Sequence, residues 1–165
     1  MRWLRHLCQR QAGHWFDEPA LQRITTAIAN GERRHAGQLV LAVEADLGWC
    51  ALWRGDTPRQ RAERAFARLG VWDTEHNTGV LLYLLLADHA IEVVADRGLQ
   101  GRITAVQWQA VCDRLRARVQ GGTALADAVE LAVGELSDLM ARALPADTDQ
   151  EADRRPGLGD RPHLL

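Results

Sequence analysis

Two carboxylates, an amide and a guanidinium lie on either side of a pair of apolar segments near the middle of the chain. Asp73 and Asn77 come just before the first segment, and Asp96 and Arg97 come just after the second. Carboxylate and amide oxygens are ligands that Ca²⁺ and Mg²⁺ prefer, and a guanidinium binds phosphate oxygens. If these side chains meet, they predict a divalent-metal site at Asp73, Asn77 and Asp96, with Arg97 holding a phosphate or another anion.

The two apolar segments predict that these four side chains lie close together. Residues 80–86 and 91–95 are too short and too rich in β-forming side chains to be separate helices, and Asp88-His89 provides a tight connection between them. They therefore predict an antiparallel hairpin, in which the start of the first strand lies beside the end of the second. His76, in the loop before the first strand, is brought to the same place.

A structural interpretation of the same residues stays open. Asp and Asn side chains often accept hydrogen bonds within turns, so Asp73 and Asn77 would cap a turn. Asp96 would then form a surface ion pair with Arg97, which contributes little to stability. The residue types and their spacing are compatible with either interpretation.

The opposite end of the predicted sheet also carries polar side chains. Glu44 and Asp46 follow a third apolar run, 39–43, and Asp88 and His89 form the hairpin tip. The order Glu-Ala-Asp-Leu weakly resembles the Asp-x-Asp-x nucleophile of some phosphatases, but its first residue is Glu and the chain has no lysine. We interpret these residues as solvated strand ends.

Helical periodicity and capping signals account for most of the remaining chain. Apolar residues recur three or four apart after each predicted cap, and residues 39–43 predict a strand buried on both faces. The element order α-α-β-α-β-β-α-α predicts an α/β fold, a three-layer α/β/α sandwich with a small mixed central sheet that contains the hairpin. The predicted helix caps are Asp17, Thr57, Thr104 and Thr123.

Three regions are predicted along the chain. Residues 1–16 mix Trp, Leu, Arg and His and predict a basic amphipathic helix, which packs on the domain or contacts a membrane surface or a partner. Residues 17–144 form the folded domain. Residues 145–165 are polar and rich in Pro and Gly, which predicts a disordered tail. Trp49 and Trp53, after the first strand, are a second candidate membrane contact.

The amino-acid composition argues against several classes of function. The chain has 165 residues, 47% of them hydrophobic, which suffices for a core without disulfides or metal staples. A net charge of -2 argues against nucleic acid as a partner. All 20 basic residues are arginine, which excludes a Walker phosphate loop and a lysine Schiff base. The single serine, Ser137, lies in a helical pattern, which argues against a serine hydrolase.

The spacing of the cysteines and the composition of the N-terminal residues both indicate a reducing compartment, the cytoplasm. Cys8, Cys50 and Cys112 are widely spaced, which indicates free thiols in a reducing compartment; one disulfide with one free thiol is the alternative. The first fifteen residues lack the continuous apolar core of a secretory signal, and no stretch approaches the roughly 18 apolar residues of a membrane span. We expect a cytoplasmic protein with Cys112 in its core.

Several short motifs, taken together, resemble the TPM-domain family, which includes a thylakoid-lumen acid phosphatase and many bacterial proteins. The resemblance covers residues 17–144 and is densest around the hairpin. The motifs are Ile24-Thr25-Thr26-Ala27-Ile28 with Glu32, His35-Ala36-Gly37, Arg61-Ala62-Glu63-Arg64-Ala65-Phe66, Leu69-Gly70-Val71-Trp72-Asp73-Thr74, Asn77-Thr78-Gly79-Val80-Leu81-Leu82-Tyr83, Glu92-Val93-Val94-Ala95-Asp96-Arg97-Gly98, and Trp108.

The resemblance implies an α/β/α sandwich, with divalent-metal binding in some relatives and weak acid phosphatase activity in others. Thr78 replaces the acidic or amide residue that relatives often carry just before the glycine at Gly79, and Gln38 stands where an acidic residue often follows the glycine at Gly37. Many relatives also carry a signal peptide and a membrane anchor, whereas this chain resembles the short soluble branch. We expect a non-enzymatic binding or accessory domain that acts through protein contacts and binds Ca²⁺ or Mg²⁺. The alternatives are a metal-assisted phosphatase and a peripheral membrane module.

Overall fold

The computed structural model describes residues 15–45, 55–146 and 161–165. Most of the predicted N-terminal helix therefore lies outside the described residues, as do Asp46, the loop with the two candidate membrane-contacting tryptophans, and two of the three cysteines. Phe16, at the start of the described part, is buried in the core.

A four-stranded mixed sheet forms the centre of the molecule, with strand order β3-β2-β1-β4. Strands β1 and β2 are parallel, with Gln38 opposite Gly79, and β2 and β3 form the predicted antiparallel hairpin. Both central strands are almost entirely apolar because helices cover the two faces of the sheet. The strand bounds are Gln38–Glu44 for β1, Gly79–Leu85 for β2, Ala90–Ala95 for β3 and His163–Leu164 for β4.

Helices pack on both faces of this sheet. Successive residues of β2 point to opposite faces, so Leu82 lies in a large core and Leu81 in a smaller one. Helices α1, α3 and α4 cover the larger core, with α4 packed against both α1 and α3, and α2 covers the smaller core. The predicted α/β fold, a three-layer α/β/α sandwich, is confirmed. The helix bounds are Glu18–Glu32 for α1, Pro58–Arg68 for α2, Ala105–Gln120 for α3 and Leu125–Ala143 for α4.

Polar caps fix where three of the four helices in the described part of the chain begin. The Asp17 carboxylate accepts a backbone N–H at 2.9 Å, and Thr57 and Thr104 each form a reciprocal capping box with a glutamine three residues later. The prediction of Thr123 as the last cap is wrong by one residue. The N-cap of α4 is Ala124, whose methyl group cannot accept a hydrogen bond.

No helix of the described residues is both long enough and apolar enough to cross a membrane. The longest, α4, carries acidic and basic side chains along its 19 residues. Most of its apolar side chains face the core, as the spacing of the sequence predicts, whereas Leu131 is exposed.

Strand β4 corrects the prediction of a disordered tail over residues 145–165 in part, at residues 161–165. Its two residues pair in parallel with Ala42 and Val43, and the Leu165 N–H donates to Val43 O at 2.8 Å. The free edge of β1 offers unpaired backbone groups, and pairing with them orders a segment whose own sequence contains no strand signal. The intervening residues 147–160 lie outside the described part of the chain.

Candidate functional site

The open end of the hairpin places the loop before β2 next to the residues after β3. The Asp96 N–H donates to Gly79 O at 2.9 Å, so the residue that follows β3 lies beside the first residue of β2. Residues Arg97–Leu99 then form one turn of 3₁₀-helix. This juxtaposition follows from the antiparallel register, in which Val80 pairs with Ala95.

Asn77, Asp96 and Arg97 form one hydrogen-bonded group at this end. Arg97 Nη2 donates to Asn77 Oδ1 at 3.0 Å, and the Gly98 N–H donates to Asn77 O at 2.8 Å. Asp96 Oδ1 accepts the Arg97 backbone N–H at 2.7 Å, so the contact between these neighbours is a cap of the 3₁₀ turn. Asn77 has a φ of 55°, a left-handed conformation that Asn adopts more readily than most residues.

Asp73 and His76 lie in the same loop but face solvent. Both side chains are exposed, and the Asp73 N–H donates to Gly70 O at 2.8 Å. No hydrogen bond between described residues joins Asp73 to Asp96. Of the four predicted site residues, the structure therefore connects Asn77, Asp96 and Arg97 directly and leaves Asp73 on the exposed loop.

Two glycines allow the loop to lie against the hairpin. A Cβ at Gly98 would lie 2.3 Å from His76 O and 2.6 Å from Asn77 O. A Cβ at Gly79 would lie 1.9 Å from Val71 O. These distances are far shorter than a van der Waals contact with backbone atoms, which cannot move aside. A larger residue at either glycine would therefore push the loop before β2 away from the hairpin.

Of the two residues that depart from the family pattern, Thr78 has a structural role, and Gln38 contacts it through its backbone. Thr78 is buried, its hydroxyl donates to Ala36 O at 3.2 Å, and its N–H donates to Thr74 Oγ1 at 2.8 Å. The Gln38 N–H donates to Thr78 O at 3.3 Å. Thr78 therefore joins the start of β2 to the segment before β1.

One carboxylate oxygen at this end has no partner among the described residues. Asp96 Oδ2 is buried and accepts no hydrogen bond within the described residues, although an unpaired buried carboxylate oxygen is costly. The chemistry of a Ca²⁺ or Mg²⁺ ion fits this oxygen, because both ions take carboxylate, amide and main-chain oxygens. Across residues 15–45, 55–146 and 161–165, no three His, Cys, Asp or Glu side chains could share a metal ion. A site here would therefore depend on Asn77 and main-chain oxygens beside the carboxylates.

A groove of about 510 Å³ begins at Asp96 and follows the free edge of β3. Arg59 lies in its wall, donates to Val93 O at 2.7 Å and lies 3.7 Å from the Glu92 carboxylate. Cys112 lines the opposite wall, where burial and then the nearby Glu92 raise the pKa of its thiol to about 11. The thiol is therefore protonated at neutral pH and is a poor nucleophile.

The other end of the sheet holds a buried acid, which corrects the prediction of solvated strand ends. Glu44 is 6% exposed, and its carboxylate accepts hydrogen bonds from the Arg61 guanidinium and the Tyr83 hydroxyl. Burial, and next the hydrogen bond to Glu44, raise the pKa of the Tyr83 phenol well above its ordinary value. The hydrogen bond to Glu44 likewise raises the pKa of Arg61. At neutral pH this cluster is a fully paired contact that holds α2 to the sheet.

The interpretation of Glu44 as a solvated strand end misses this cluster, because it leaves the acid without its partners Arg61 and Tyr83. The available signal was that Glu44 and Tyr83 lie on strands predicted to be buried, and a buried acid requires a cationic partner. At the hairpin tip, His89 is exposed and adopts a φ of 51°, which is typical of a turn residue.

Comparisons with known proteins agree with this architecture. A family model described as the TPM domain matches residues 11–139. The solved structure of the BA42 protein from the psychrophilic bacterium Bizionia argentinensis has a TM-score of 0.77 to this chain at 15% identity, covering 94% of this chain and 99% of that one. At this identity the likeness concerns the fold alone. No curated protein matches the chain.

Proposed function

The chain belongs to the TPM-domain family, and from that premise we propose that it is a non-enzymatic binding or accessory domain whose ligand is Ca²⁺ or Mg²⁺. The ligand-binding end is the cluster of Asp73, Asn77, Asp96 and Arg97. The observation that carries the proposal is the buried Asp96 Oδ2, which has no partner among the described residues and which a cation would satisfy.

An exposed indole beside the cluster supports a role in protein contacts. Trp72 is 55% exposed, and its Nε1 donates to Ala67 O at 3.3 Å, which fixes one edge of the ring. Tryptophan is among the residues that contribute most to protein interfaces. Because Trp72 precedes Asp73, a cation bound by the loop would order the segment that presents this indole. Binding of the cation would thereby favour binding of a partner protein, and no chemical reaction would be needed.

Calorimetric titration of Ca²⁺ and Mg²⁺ into the purified chain tests the cation site. We expect wild type to bind at least one of the two ions and Asp96→Asn to lose that binding. Asn at this position keeps the Oδ1 acceptor that caps the 3₁₀ turn and removes the charge, so the fold should be retained. Asp73→Asn should weaken binding less, since Asp73 is on the exposed loop. Asp113→Asn, which removes an exposed carboxylate on α3, is the control and should bind as wild type does.

Thermal unfolding provides a second measurement of ion binding. An ion at a concentration of 100 times its Kd stabilises the folded state by about 2.7 kcal/mol, so wild type should melt at a higher temperature with the ion. Asp96→Asn should melt at the same temperature with and without it. Retention of ion binding by Asp96→Asn, or no binding by wild type, would contradict the proposal.

Metal-assisted phosphomonoester hydrolysis is the second candidate, and the groove that begins at Asp96 favours it. A bound divalent ion would supply Lewis-acid polarisation of a phosphoryl oxygen. Arg97 retains further N–H donors beyond the one that binds Asn77 and would hold the phosphate. Turnover of a phosphomonoester that requires Mg²⁺ or Ca²⁺ and disappears in Asp96→Ala would establish this activity and overturn the non-enzymatic proposal.

A further inference from the structure

The outer edge of β3 faces away from the rest of the sheet. In the strand order β3-β2-β1-β4, β3 is the last strand on its side, and no strand in the part of the chain that the structure describes lies beyond it. The Asp96 N–H donates to Gly79 O, so the even-numbered residues of β3 bond to β2 and the odd-numbered residues do not. The N–H and C=O groups of Ile91, Val93 and Ala95 therefore point outward.

The groove of about 510 Å³ follows this edge and has an apolar floor. Val93 and Ala95 pack against the larger core and line the groove together with Ile103, Trp108 and Cys112. Trp108 is half-buried, so part of its ring stays open to a ligand. Residues opposite each other in antiparallel strands point to the same face of a sheet, so a strand added beside β3 would place every second side chain in this groove.

The charged side chains of the groove favour a basic occupant. Among the described residues that line it, Glu92 and Asp96 are acidic and Arg59 is basic. Arg59 is already paired, because its Nε donates to the Glu63 carboxylate at 2.8 Å. Glu92 points to the face opposite Val93, toward α2, where it lies 3.7 Å from Arg59. A cationic side chain on that face of an added strand would lie beside Glu92.

We propose that the outer edge of β3 and its groove bind an extended segment of a partner protein in which apolar residues alternate with basic ones. The segment adds antiparallel to β3, since parallel pairing is less stable per residue. Its apolar residues bond to the outward backbone groups of β3 and fill the groove, and its basic residues face Glu92. Main-chain hydrogen bonds provide the affinity of strand addition, and alternate side chains provide the specificity. The site is separate from cation binding and does not depend on it.

Arg59 competes with such a segment for one position. Its Nη1 donates to Val93 O at 2.7 Å, the carbonyl that an N–H of the added strand would bond. A charged side chain over a strand edge is one way in which proteins prevent unspecific pairing. The segment displaces the guanidinium from Val93 O, and Arg59 keeps its ion pair with Glu63.

Charge distinguishes a partner protein from a second copy of this chain. A second copy would offer β3 itself, Ala90–Ala95, which carries an acid at Glu92 where the site requires a base. Symmetric antiparallel pairing about Val93 would set the Glu92 side chains of the two copies on the same face as near neighbours. Like charges at such positions destabilise a strand pair.

Fluorescence polarisation with a labelled synthetic peptide tests the site on the full chain. The peptide is Thr-Val-Lys-Leu-Lys-Val-Thr, and EDTA is present so that the cation site plays no part. Two matched peptides carry one N-methyl group each, on the central leucine or on a neighbouring lysine. In the proposed pairing the leucine N–H faces β3 and the lysine N–H faces solvent.

We expect wild type to bind the unmodified and the lysine-methylated peptides equally. The leucine-methylated peptide should bind at least about tenfold more weakly, because it loses a hydrogen bond and places a methyl group against β3. Absence of binding, equal affinity for the three peptides, or weakening by lysine methylation alone would overturn the proposal. A wild-type dimer that the peptide dissociates would also overturn it, because the occupant would then be a second copy.

Protein variants test the two side chains that the proposal names. Arg59→Ala should bind the peptide about three- to tenfold more tightly, since Val93 O becomes free. Glu92→Gln should bind it about two- to fivefold more weakly. Glu130→Gln is the matched control, because Glu130 pairs with Arg23 outside the groove, and it should bind as wild type does. Weaker binding by Arg59→Ala, or wild-type affinity in Glu92→Gln, would contradict the assigned roles.

Amide exchange in wild type gives a measurement that does not depend on the folding of a variant. At a saturating concentration of the peptide, the Val93 and Ala95 amides should become protected from exchange, while the Val94 amide, which faces β2, is protected with and without it. If the Val93 and Ala95 amides exchange at the same rate at saturation, the peptide binds elsewhere and the inference is wrong.

Discussion

Glu44 shows how one buried carboxylate is accommodated in an apolar sheet. Its partners come from two different elements, Arg61 from α2 and Tyr83 from β2. Removing one partner of a buried charge is costly because the other is left without compensation. Asp96 shows the opposite case. Its buried Oδ2 has no partner among the described residues, and a bound ligand would supply one.

Tyr83→Phe is predicted to alter stability in alkaline solution. The folded state holds the phenol proton to higher pH than the unfolded chain does, where tyrosine ionises near pH 10. This contribution is therefore fully present below about pH 10 and is lost as the pH rises above it. Tyr83→Phe should remove that part of the alkaline loss of stability. It should also lower the free energy of unfolding at neutral pH by about 1.5 to 3 kcal/mol, because the lost hydrogen bond is to a carboxylate.

Urea unfolding of both proteins from neutral to alkaline pH measures this difference. Because the chain has one tyrosine, ultraviolet absorbance also follows its ionisation directly. An ordinary tyrosine titration in the folded wild type, or identical alkaline stability curves for the two proteins, would show that Tyr83 is not held by Glu44.

Cys112 is predicted to react slowly with alkylating reagents. Burial, followed by the Glu92 charge, raises the pKa of its thiol to about 11, and the thiolate is the reactive form. In a Cys8→Ser, Cys50→Ser chain, iodoacetamide at mildly alkaline pH should modify Cys112 at the rate of global unfolding. Addition of urea should accelerate the reaction, and the same chain carrying Cys112→Ser is the blank. Fast modification without urea would contradict the burial of Cys112.

At the scale of elements, the helix ends differ in how well their first N–H groups are satisfied. Thr104 caps α3 through a reciprocal box with Gln107, whereas Ala124 begins α4 without a side-chain acceptor. The two ends therefore predict opposite responses to substitution. A change that removes the acceptor at α3 should destabilise the protein, and one that supplies an acceptor at α4 should stabilise it.

Thr104→Ala should lower the free energy of unfolding by about 1 kcal/mol, and Ala124→Asp should raise it by about 0.5 to 1 kcal/mol. Denaturant titrations of the two variants against wild type measure both values. Thr123→Ala is the control for the second variant, since Thr123 lies outside the cap and its loss should change stability little. If Thr123→Ala changed the free energy of unfolding more than Ala124→Asp does, Thr123 and not Ala124 would be the N-cap of α4.

Local patterns account for most elements of this fold, and tertiary context accounts for the rest. The caps Asp17, Thr57 and Thr104 were predictable because the acceptor and the first helical turn are adjacent in sequence. Strand β4 was not, since its pairing arises from the open edge of β1 and not from its own residues. The approach of Asn77 to Asp96 followed from the hairpin register, but the unpartnered oxygen of Asp96 required atomic positions.

At the scale of the whole molecule, one sheet is shared by two cores of unequal size. Leu81 and Leu82 are neighbours on β2, both fully buried, with Leu81 in the smaller core under α2 and Leu82 in the larger core. Any loss of packing in either core therefore acts on the same central strand. This arrangement predicts that the two layers do not unfold separately.

Leu81→Ala and Leu82→Ala should each lower the free energy of unfolding by about 2 to 5 kcal/mol and keep a single transition. Coincidence of the unfolding curves from circular dichroism and tryptophan fluorescence checks this. Leu131→Ala, at a leucine that is 53% exposed on α4, is the matched control and should change stability far less. Two separated transitions in Leu81→Ala would show that the α2 layer unfolds independently.

The strand order also determines when each part of the sheet can form during synthesis. Strands β1, β2 and β3 and helices α1 to α4 precede residue 144, whereas β4 pairs with β1 from a position far along the chain. Domains begin to fold as they leave the ribosome, so the three-stranded sheet can assemble while the segment that closes its edge is still unmade. The nascent domain therefore passes through an interval in which the backbone of β1 is open to any extended chain nearby. Pairing of β4 with β1 therefore follows assembly of the three-stranded sheet.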